Sequence, residues 1–145
     1  YGPSHRALTG FQAAVAERGL TGVDVCCGDD TASGEACVEQ LLVTHPEVTA
    51  VATINEAALP GMQRALTGAG LSVPADFSVT GVAAQHWAED FRPPLTAADV
   101  PMRDMGAEAV ALLLEIIAAP ESVPRHRLYS PPISLRSSTG PVRTH

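Results

Sequence analysis

The sequence is poor in positive charge. Nine Lys and Arg residues stand against sixteen Asp and Glu residues, which gives a formal net charge of −7, and the basic residues are scattered along the chain. Because neutralising backbone phosphates supplies most of the nonspecific affinity for nucleic acids, we expect no DNA- or RNA-binding surface in these residues. Contact with DNA would need a segment outside this chain.

Metal, disulfide and membrane signals are also lacking. Cys26, Cys27 and Cys37 form an odd set without C-x-x-C spacing, which predicts reduced, buried thiols of a cytoplasmic protein. The five histidines are not paired at metal-ligand spacing. There is no signal peptide, and no apolar run approaches the ~20 residues that a membrane span needs. We therefore predict no metal, no cofactor and no membrane contact.

Catalytic motifs are absent as well. The sequence contains no G-x-S-x-G, no phosphate-loop G-x-x-x-x-G-K-[ST], no G-x-G-x-x-G and no H-E-x-x-H. We therefore predict that the chain is not an enzyme.

The composition is that of a folded protein. Apolar residues make up 46% of the 145 residues and charged residues 17%, and a chain of this length can bury about 68–70% of its unfolded surface. It opens at Tyr1-Gly2-Pro3, without Met and directly before a helical pattern. We expect a piece of a longer protein.

Helical and strand-like periods alternate along the first 82 residues. The predicted order is a helix over 4–18, a buried strand over 23–27, a helix carrying Cys37 to Leu42, a second buried strand over 48–54, a helix from Asn55 to Gly68 or Gly70, and a strand over 77–82. Three strand-and-helix steps in series predict an α/β fold with an open parallel sheet flanked by helices.

The pattern changes after Pro94. A short extended piece over 95–98 precedes a helix over 102–118, whose apolar residues lie on nearly every side, so this helix needs cover from more than one direction. A linker over 120–124 and two late strands, over 127–129 and 133–136, complete the prediction.

Six stretches spread along the chain form a recognisable series. They are Arg6–Leu20 (R-A-L-T-G-F-Q-A-A-V-A-E-R-G-L), Asn55–Leu66 (N-E-A-A-L-P-G-M-Q-R-A-L), Gly70–Gly81 (G-L-S-V-P-A-D-F-S-V-T-G), Pro93–Thr96 (P-P-L-T), Pro101–Gly106, and the ending Ile133–Thr139 with its R-S-S-T. Together they resemble the lactose-repressor family of bacterial transcription regulators, whose sensing domain has the periplasmic-binding-protein fold. They follow the family's order and cover nearly the whole chain.

The resemblance implies a division of the chain. Residues 1–98 would form the C-terminal effector-binding subdomain, 99–124 a crossover helix belonging to the N-terminal subdomain, and 125–145 the strands that return. The family's helix-turn-helix, most of its N-terminal subdomain and the first strand of the C-terminal one would lie outside this chain. The implied function is to bind a small polar metabolite, a sugar or polyol, and to form a homodimer. A periplasmic-type sugar-binding protein of a transport system is the alternative.

Asn55 is the leading candidate for ligand binding. It follows a predicted parallel strand, and ligands bind beyond the carboxyl ends of such strands. A carboxamide offers both donor and acceptor to a sugar hydroxyl, although Asn55 could equally be a helix N-cap. By the resemblance, His5 or Arg6 would supply the family's cleft arginine, but Ala7 falls at its usual place. Asp30 falls where some members carry an aromatic residue.

Other positions depart from the family. Its acidic residue after V-x-G-[FY] would fall on Ala83, and its Gln after L-T-T-x-x on Val100, with Asp99 beside it. Gln85, His86 and Trp87 could replace these contacts, or Trp87 could lie at the subunit interface. The resemblance places the dimer interface at Pro60, Met62, Gln63, Trp87 and Phe91.

Overall fold

The computed structural model describes residues 3–120 and 126–142. The helices are α1 (Pro3–Glu17), α2 (Thr31–Thr44), α3 (Leu59–Gly68), α4 (Gln85–Asp90) and α5 (Met102–Ala118), with a 3₁₀ turn at Glu56–Ala58; the strands are β1 (Ala50–Thr53), β2 (Ser78–Ala84), β3 (Thr96–Val100) and β4 (Ile133–Ser134). The helices predicted over 4–18 and 102–118 are confirmed to within one residue.

The strands form one open sheet in the order β1-β2-β3-β4. Strand β2 is parallel to β1 and to β3, whereas β4 runs antiparallel to β3. The predicted α/β fold with an open, mostly parallel sheet is therefore confirmed. In a parallel sheet the carboxyl ends of the strands lie at one edge, so Asn55, which follows β1, lies at the same edge as the ends of β2 and β3.

Two predicted strands are wrong. Residues 23–27 and 127–129 have no strand structure, and no described strand pairs with either segment. An apolar run becomes a strand only when a neighbour satisfies its backbone groups. Most side chains in both segments face solvent, with Leu128 93% exposed, although Cys27 packs in part against the core. The predicted burial of β1 is also wrong, because β1 is an edge strand whose residues are exposed or half-buried.

Two further predictions concern the cysteines and the linker over 120–124. The three thiols are free, as predicted, but not buried: Cys26 is exposed and Cys27 and Cys37 are half-buried. The predicted linker over 120–124 falls outside the described residues except for Pro120.

One hydrophobic core holds these elements together. It is built by helices α2, α3 and α4 and by strands β2 and β3. Its fully buried members include Val38, Leu59, Leu66, Phe77, Val79 and Leu95. Alternate residues of β2 point into this core, whereas Val82 between them is 37% exposed.

Helices α2 and α3 touch backbone to backbone at two glycines. A Cβ placed on Gly61 would lie 1.8 Å from the carbonyl oxygen of Thr31 and 2.6 Å from the amide nitrogen of Glu35, and one on Gly34 would lie 2.3 Å from the carbonyl oxygen of Ala58. Only a residue without a side chain fits there. The contact fixes the first turns of both helices against each other.

Ser138, in the C-terminal stretch, hydrogen-bonds to the sheet near the amino ends of β2 and β3. Ser138 is 0% exposed; its hydroxyl donates to the carbonyl of Val79 at 2.5 Å and accepts the backbone N–H of Thr96 at 2.8 Å. Its carbonyl accepts the N–H of Val79 at 2.9 Å. Since the pairing of β2 with β3 begins only at Thr80 and Thr96, Ser138 continues the sheet where the two strands separate.

Helix α5 has no buried residue. Its apolar side chains remain 39–65% exposed, namely Met102, Met105, Val110, Leu113, Leu114, Ile116 and Ile117. The sequence pattern predicted a helix that needs cover on several sides, and the described residues do not provide it.

We expect Gly61→Ala to destabilise the protein by about 2–3 kcal/mol, because the added methyl would collide with backbone atoms of α2 that cannot move independently. Urea denaturation measures this change. Gly68→Ala is the matched control in the same helix, since its Cβ would meet nothing within 4 Å. That variant should be unchanged or up to about 1 kcal/mol more stable; equal losses in the two would contradict the packing argument.

Ser138→Ala should cost about 1–3 kcal/mol, because it leaves the buried carbonyl of Val79 and the N–H of Thr96 without their side-chain partner. Thermal and urea unfolding measure the loss. The neighbouring Ser137 is exposed, so Ser137→Ala should behave as the unsubstituted protein. A Ser138→Ala variant as stable as Ser137→Ala would show that the hydrogen bonds of the Ser138 hydroxyl do not stabilise the fold.

Candidate effector-binding site

Polar groups gather where the parallel strands end. We call this edge the carboxyl rim and define it by residues 28–30, 55–56, 84–87 and 99–100. Strand β2 ends at Ala84 opposite Val100 of β3, and β1 ends at Thr53 opposite Gly81. Residues that follow these strands therefore lie next to one another.

Asn55 connects two segments of the carboxyl rim. Its Nδ2 donates to the carbonyl of Gly28 at 3.0 Å and to Oδ1 of Asp29 at 2.9 Å. Its Oδ1 accepts the N–H of Ala57 at 3.1 Å and so caps the 3₁₀ turn before α3. Both amide hydrogens are thus used within the chain, while Oδ1 has a second lone pair and Asp29 has its other oxygen.

Asp30 is the N-cap of α2. Its Oδ1 accepts the N–H of Ser33 at 2.7 Å. Hydrogen bonds from Ser33 hold the pKa of the Asp30 carboxyl below its usual value, because they favour the ionised form. The side chain is exposed, so capping leaves it within reach of a ligand.

Glu56 joins the ends of β1 and β2, and sequence reasoning missed it. Its Oε2 accepts the N–H of Ala84, the last residue of β2, at 2.6 Å. Its position directly after Asn55 in the N-E-A-A-L stretch could have pointed to Glu56 as a site residue. Nothing in the sequence indicated that its side chain would reach Ala84.

The residues after β2 form the short helix α4. Gln85 is exposed, and its amide nitrogen donates to Oε1 of Glu89 at 2.7 Å. The rings of His86 and Trp87 lie 5.8 Å apart at 42°. Trp87 is half-buried, with one part against the core, so Gln85 and His86 are more accessible than Trp87.

Asp99 near the end of β3 is engaged by Arg136 and Ser134. Nη2 of Arg136 lies 3.0 and 2.8 Å from the two carboxylate oxygens, and the Ser134 hydroxyl also donates to the carboxylate. These contacts, led by the hydrogen bond from Arg136, hold the pKa of Asp99 below its ordinary value. The side chains of Asp99 and Arg136 are only 20% and 16% exposed.

The chain is similar to known proteins over most of its length. Residues 1–139 match the family described as periplasmic binding protein-like domain. The ribose operon repressor of Escherichia coli K12 is 33% identical over 135 residues, which cover 90% of this chain and 40% of the repressor. The chain belongs to the LacI family of transcription regulators. The family predicted from sequence is thereby confirmed, and the relatives are repressors, not enzymes.

Solved LacI-family structures share the fold. A regulator from Enterococcus faecium with bound ribose superimposes with a TM-score of 0.86 at 25% identity, over 96% of this chain and 52% of that one. The regulator CelR in complex with cellobiose gives a TM-score of 0.81 at 27% identity, over 90% of this chain and 41% of that one. The chain thus spans about half the length of these proteins or less.

Of three positions suggested by the LacI resemblance, two are exposed on α1 and one lies inside the core. His5 and Arg6 are exposed in the first turns of α1, and no residue from 5 to 17 is buried. Ala83 is 1% exposed and belongs to the core. The roles of His5 and Arg6 remain predictions.

The predicted interface residues differ in how much surface they offer. Met62 and Phe91 are each 4% exposed and belong to the chain's own core. Pro60 is exposed, and Gln63 uses its amide to hold the turn after α4, accepting the N–H of Arg92 and donating to its carbonyl. The interface prediction therefore depends on Pro60, Gln63 and Trp87.

Within residues 3–120 and 126–142, no group of three or more His, Cys, Asp or Glu side chains has an arrangement that could hold a metal ion. None of the described helices is both long and apolar enough to cross a bilayer.

The free energy of unfolding of the Asp99→Asn variant should fall less in acid than that of the unsubstituted protein. Since the folded-state pKa of Asp99 lies below the ordinary 3.8, its ion pair stabilises the fold above about pH 4 and is lost as pH falls through the folded-state pKa. Urea unfolding at several pH values from neutral to acid, on both proteins, measures this. The gap between the curves should narrow in acid; a constant gap would contradict the assignment.

Proposed function

We propose that this chain is the effector-sensing and dimer-forming part of a bacterial transcription regulator of the cytoplasm. A sugar or related polyol binds at the carboxyl rim and changes the DNA affinity of a helix-turn-helix that lies outside this chain. The observation that carries the proposal is the hydrogen bond to Asp29 from Asn55, which follows the parallel strand β1 in a LacI-family fold.

The carboxyl rim has the chemistry that a sugar requires. Asn55 fixes Oδ1 of Asp29, which leaves the other Asp29 oxygen to accept a sugar hydroxyl with a charge-assisted hydrogen bond. The second lone pair of Asn55 Oδ1 accepts another. Asp29 thus supplies the acidic acceptor that the family places at the position of the buried Ala83. Gln85, Asp30 and, across the opening, Arg6 or His5 complete the polar lining in this proposal.

Relatives favour a carbohydrate. The curated repressor that covers most of the chain belongs to a ribose operon, and solved LacI-family structures hold ribose and cellobiose. Ribose is therefore the first compound to test, and nucleosides and sugar phosphates come next because they share its ring.

A hinge between two subdomains would transmit binding. In this proposal residues 1–98 and 125–145 form one subdomain and the helix within 99–124 packs in the other, which would cover the exposed apolar side chains of α5. A ligand shifts the equilibrium only by its difference in affinity for the open and closed states. Dimer contacts through Pro60, Gln63 and Trp87 would carry that difference to DNA.

The alternative is an exported sugar-binding protein with the same fold. The repressor relatives favour a regulator. The gene sequence upstream of Tyr1 discriminates the two, because a regulator requires a helix-turn-helix there and an exported protein an apolar leader.

Thermal-shift assays and calorimetry on the full-length protein test the site. Ribose should raise Tm, and Asp29→Asn should weaken binding by about 10-fold or more, the size expected for losing a charged hydrogen bond. The amide oxygen introduced by this substitution could still accept from Asn55, so the fold is kept. The control is Asp24→Asn, an exposed carboxylate away from Asn55's contacts, which should bind as the unsubstituted protein does.

Two results would contradict the proposal. One is no stabilisation by any sugar, polyol, nucleoside or sugar phosphate. The other is equal affinity of Asp29→Asn and Asp24→Asn for the compound that binds, which would place the site away from Asp29.

A further inference from the structure

Two thiols ten residues apart in the sequence lie on the segment that precedes α2 and on α2 itself. Cys27 belongs to the unpaired segment before α2 and packs in part against the core, and Cys37 lies in the second turn of α2. Both are half-buried, whereas the adjacent Cys26 is exposed. The proposed effector site does not use these side chains.

The segment that carries Cys27 packs against the helix that carries Cys37. The chain at Gly28 lies directly on the first turn of α2, where an added Cβ would be 2.5 Å from the Ser33 hydroxyl. Cys37 is four residues after Ser33 and so occupies the same face of the helix, one turn on. The Cys27 thiol donates to the carbonyl of Gly28 at 3.4 Å, which keeps it beside this face.

The ionisation of Cys27 agrees with this geometry. Burial, and after it the charge and hydrogen bonding of the neighbouring Cys37, raise the pKa of the Cys27 thiol to about 11. At neutral pH Cys27 is therefore protonated.

We propose that Cys27 and Cys37 form an oxidation site that closes to an intramolecular disulfide when the protein meets hydrogen peroxide. The Cys37 thiolate attacks one peroxide oxygen; the O–O bond breaks, hydroxide leaves and is protonated to water, and Cys37 becomes a sulfenic acid. The Cys27 sulfur then attacks the Cys37 sulfur, loses its proton, and the hydroxyl leaves as a second water. Two thiols lose two electrons and the peroxide gains them.

Cys27 directly precedes the Gly28–Asp29 segment that is hydrogen-bonded to Asn55. Gly28 and Asp29 accept hydrogen bonds from Asn55, so a disulfide from Cys27 to α2 would fasten this loop to the helix. Formation of the bond does not depend on a sugar binding at the carboxyl rim, and failure of either proposal leaves the other intact.

Thiol counting and peptide mapping test the proposal. The protein is treated with excess hydrogen peroxide, alkylated, unfolded and titrated for thiols. We expect the reactive thiols to fall from three to one, a peptide pair joined through Cys27 and Cys37 in the mass spectrum, and recovery of all three after reduction. Three remaining thiols, or a bond that contains Cys26 or joins two chains, would overturn the proposal.

Single substitutions separate the roles. Cys26→Ser should still form the bond and fall from two thiols to none, whereas Cys27→Ser and Cys37→Ser should form no intramolecular bond. A bond between Cys26 and the remaining cysteine in either of the last two, at the rate of the unsubstituted protein, would count against the pair. If either variant does not fold, the peptide map of the oxidised, unsubstituted protein decides whether the disulfide joins Cys27 and Cys37.

Discussion

The contact of α2 with α3 at Gly34 and Gly61 is the constraint on which the site depends. Because backbone meets backbone there, the first turns of two helices are held close together. Asp30 caps one of these helices and Asn55 caps the turn that leads into the other. The two caps therefore become neighbours, and the Asn55 carboxamide can reach the segment before α2.

A second set of contacts holds the other edge of the sheet. The stretch Arg136 to Thr139 resembles the family's R-x-S-T, and its side chains bind strands instead of a ligand. Ser138 links Val79 with Thr96, and the Thr96 hydroxyl contacts the backbone of Arg136 and the hydroxyl of Thr139. A motif that marks the family thus serves the fold, and the last strand is positioned to bring Arg136 to Asp99.

Much of the fold could be predicted from sequence because helical periods and caps are local. Helices α1, α2, α3 and α5, the parallel strands β1 and β2, and Asn55 at the end of β1 follow from periodicity and turn residues. The false strand at 23–27 has another origin: its composition suits a strand, but pairing depends on a neighbour that composition cannot show. The family resemblance assigned Met62 and Phe91 to the dimer interface, although both lie in the chain's own core.

Sequence alone determined the family, the fold class and the position of Asn55, since each depends on residue order along short stretches. Only the tertiary structure decided which polar atoms Asn55 meets, that Glu56 reaches Ala84, and that the segment carrying Cys27 packs on α2. The two hydrogen bonds join residues 26 and 28 positions apart. Their distances are set by how helices and strands pack, and no local pattern encodes that packing.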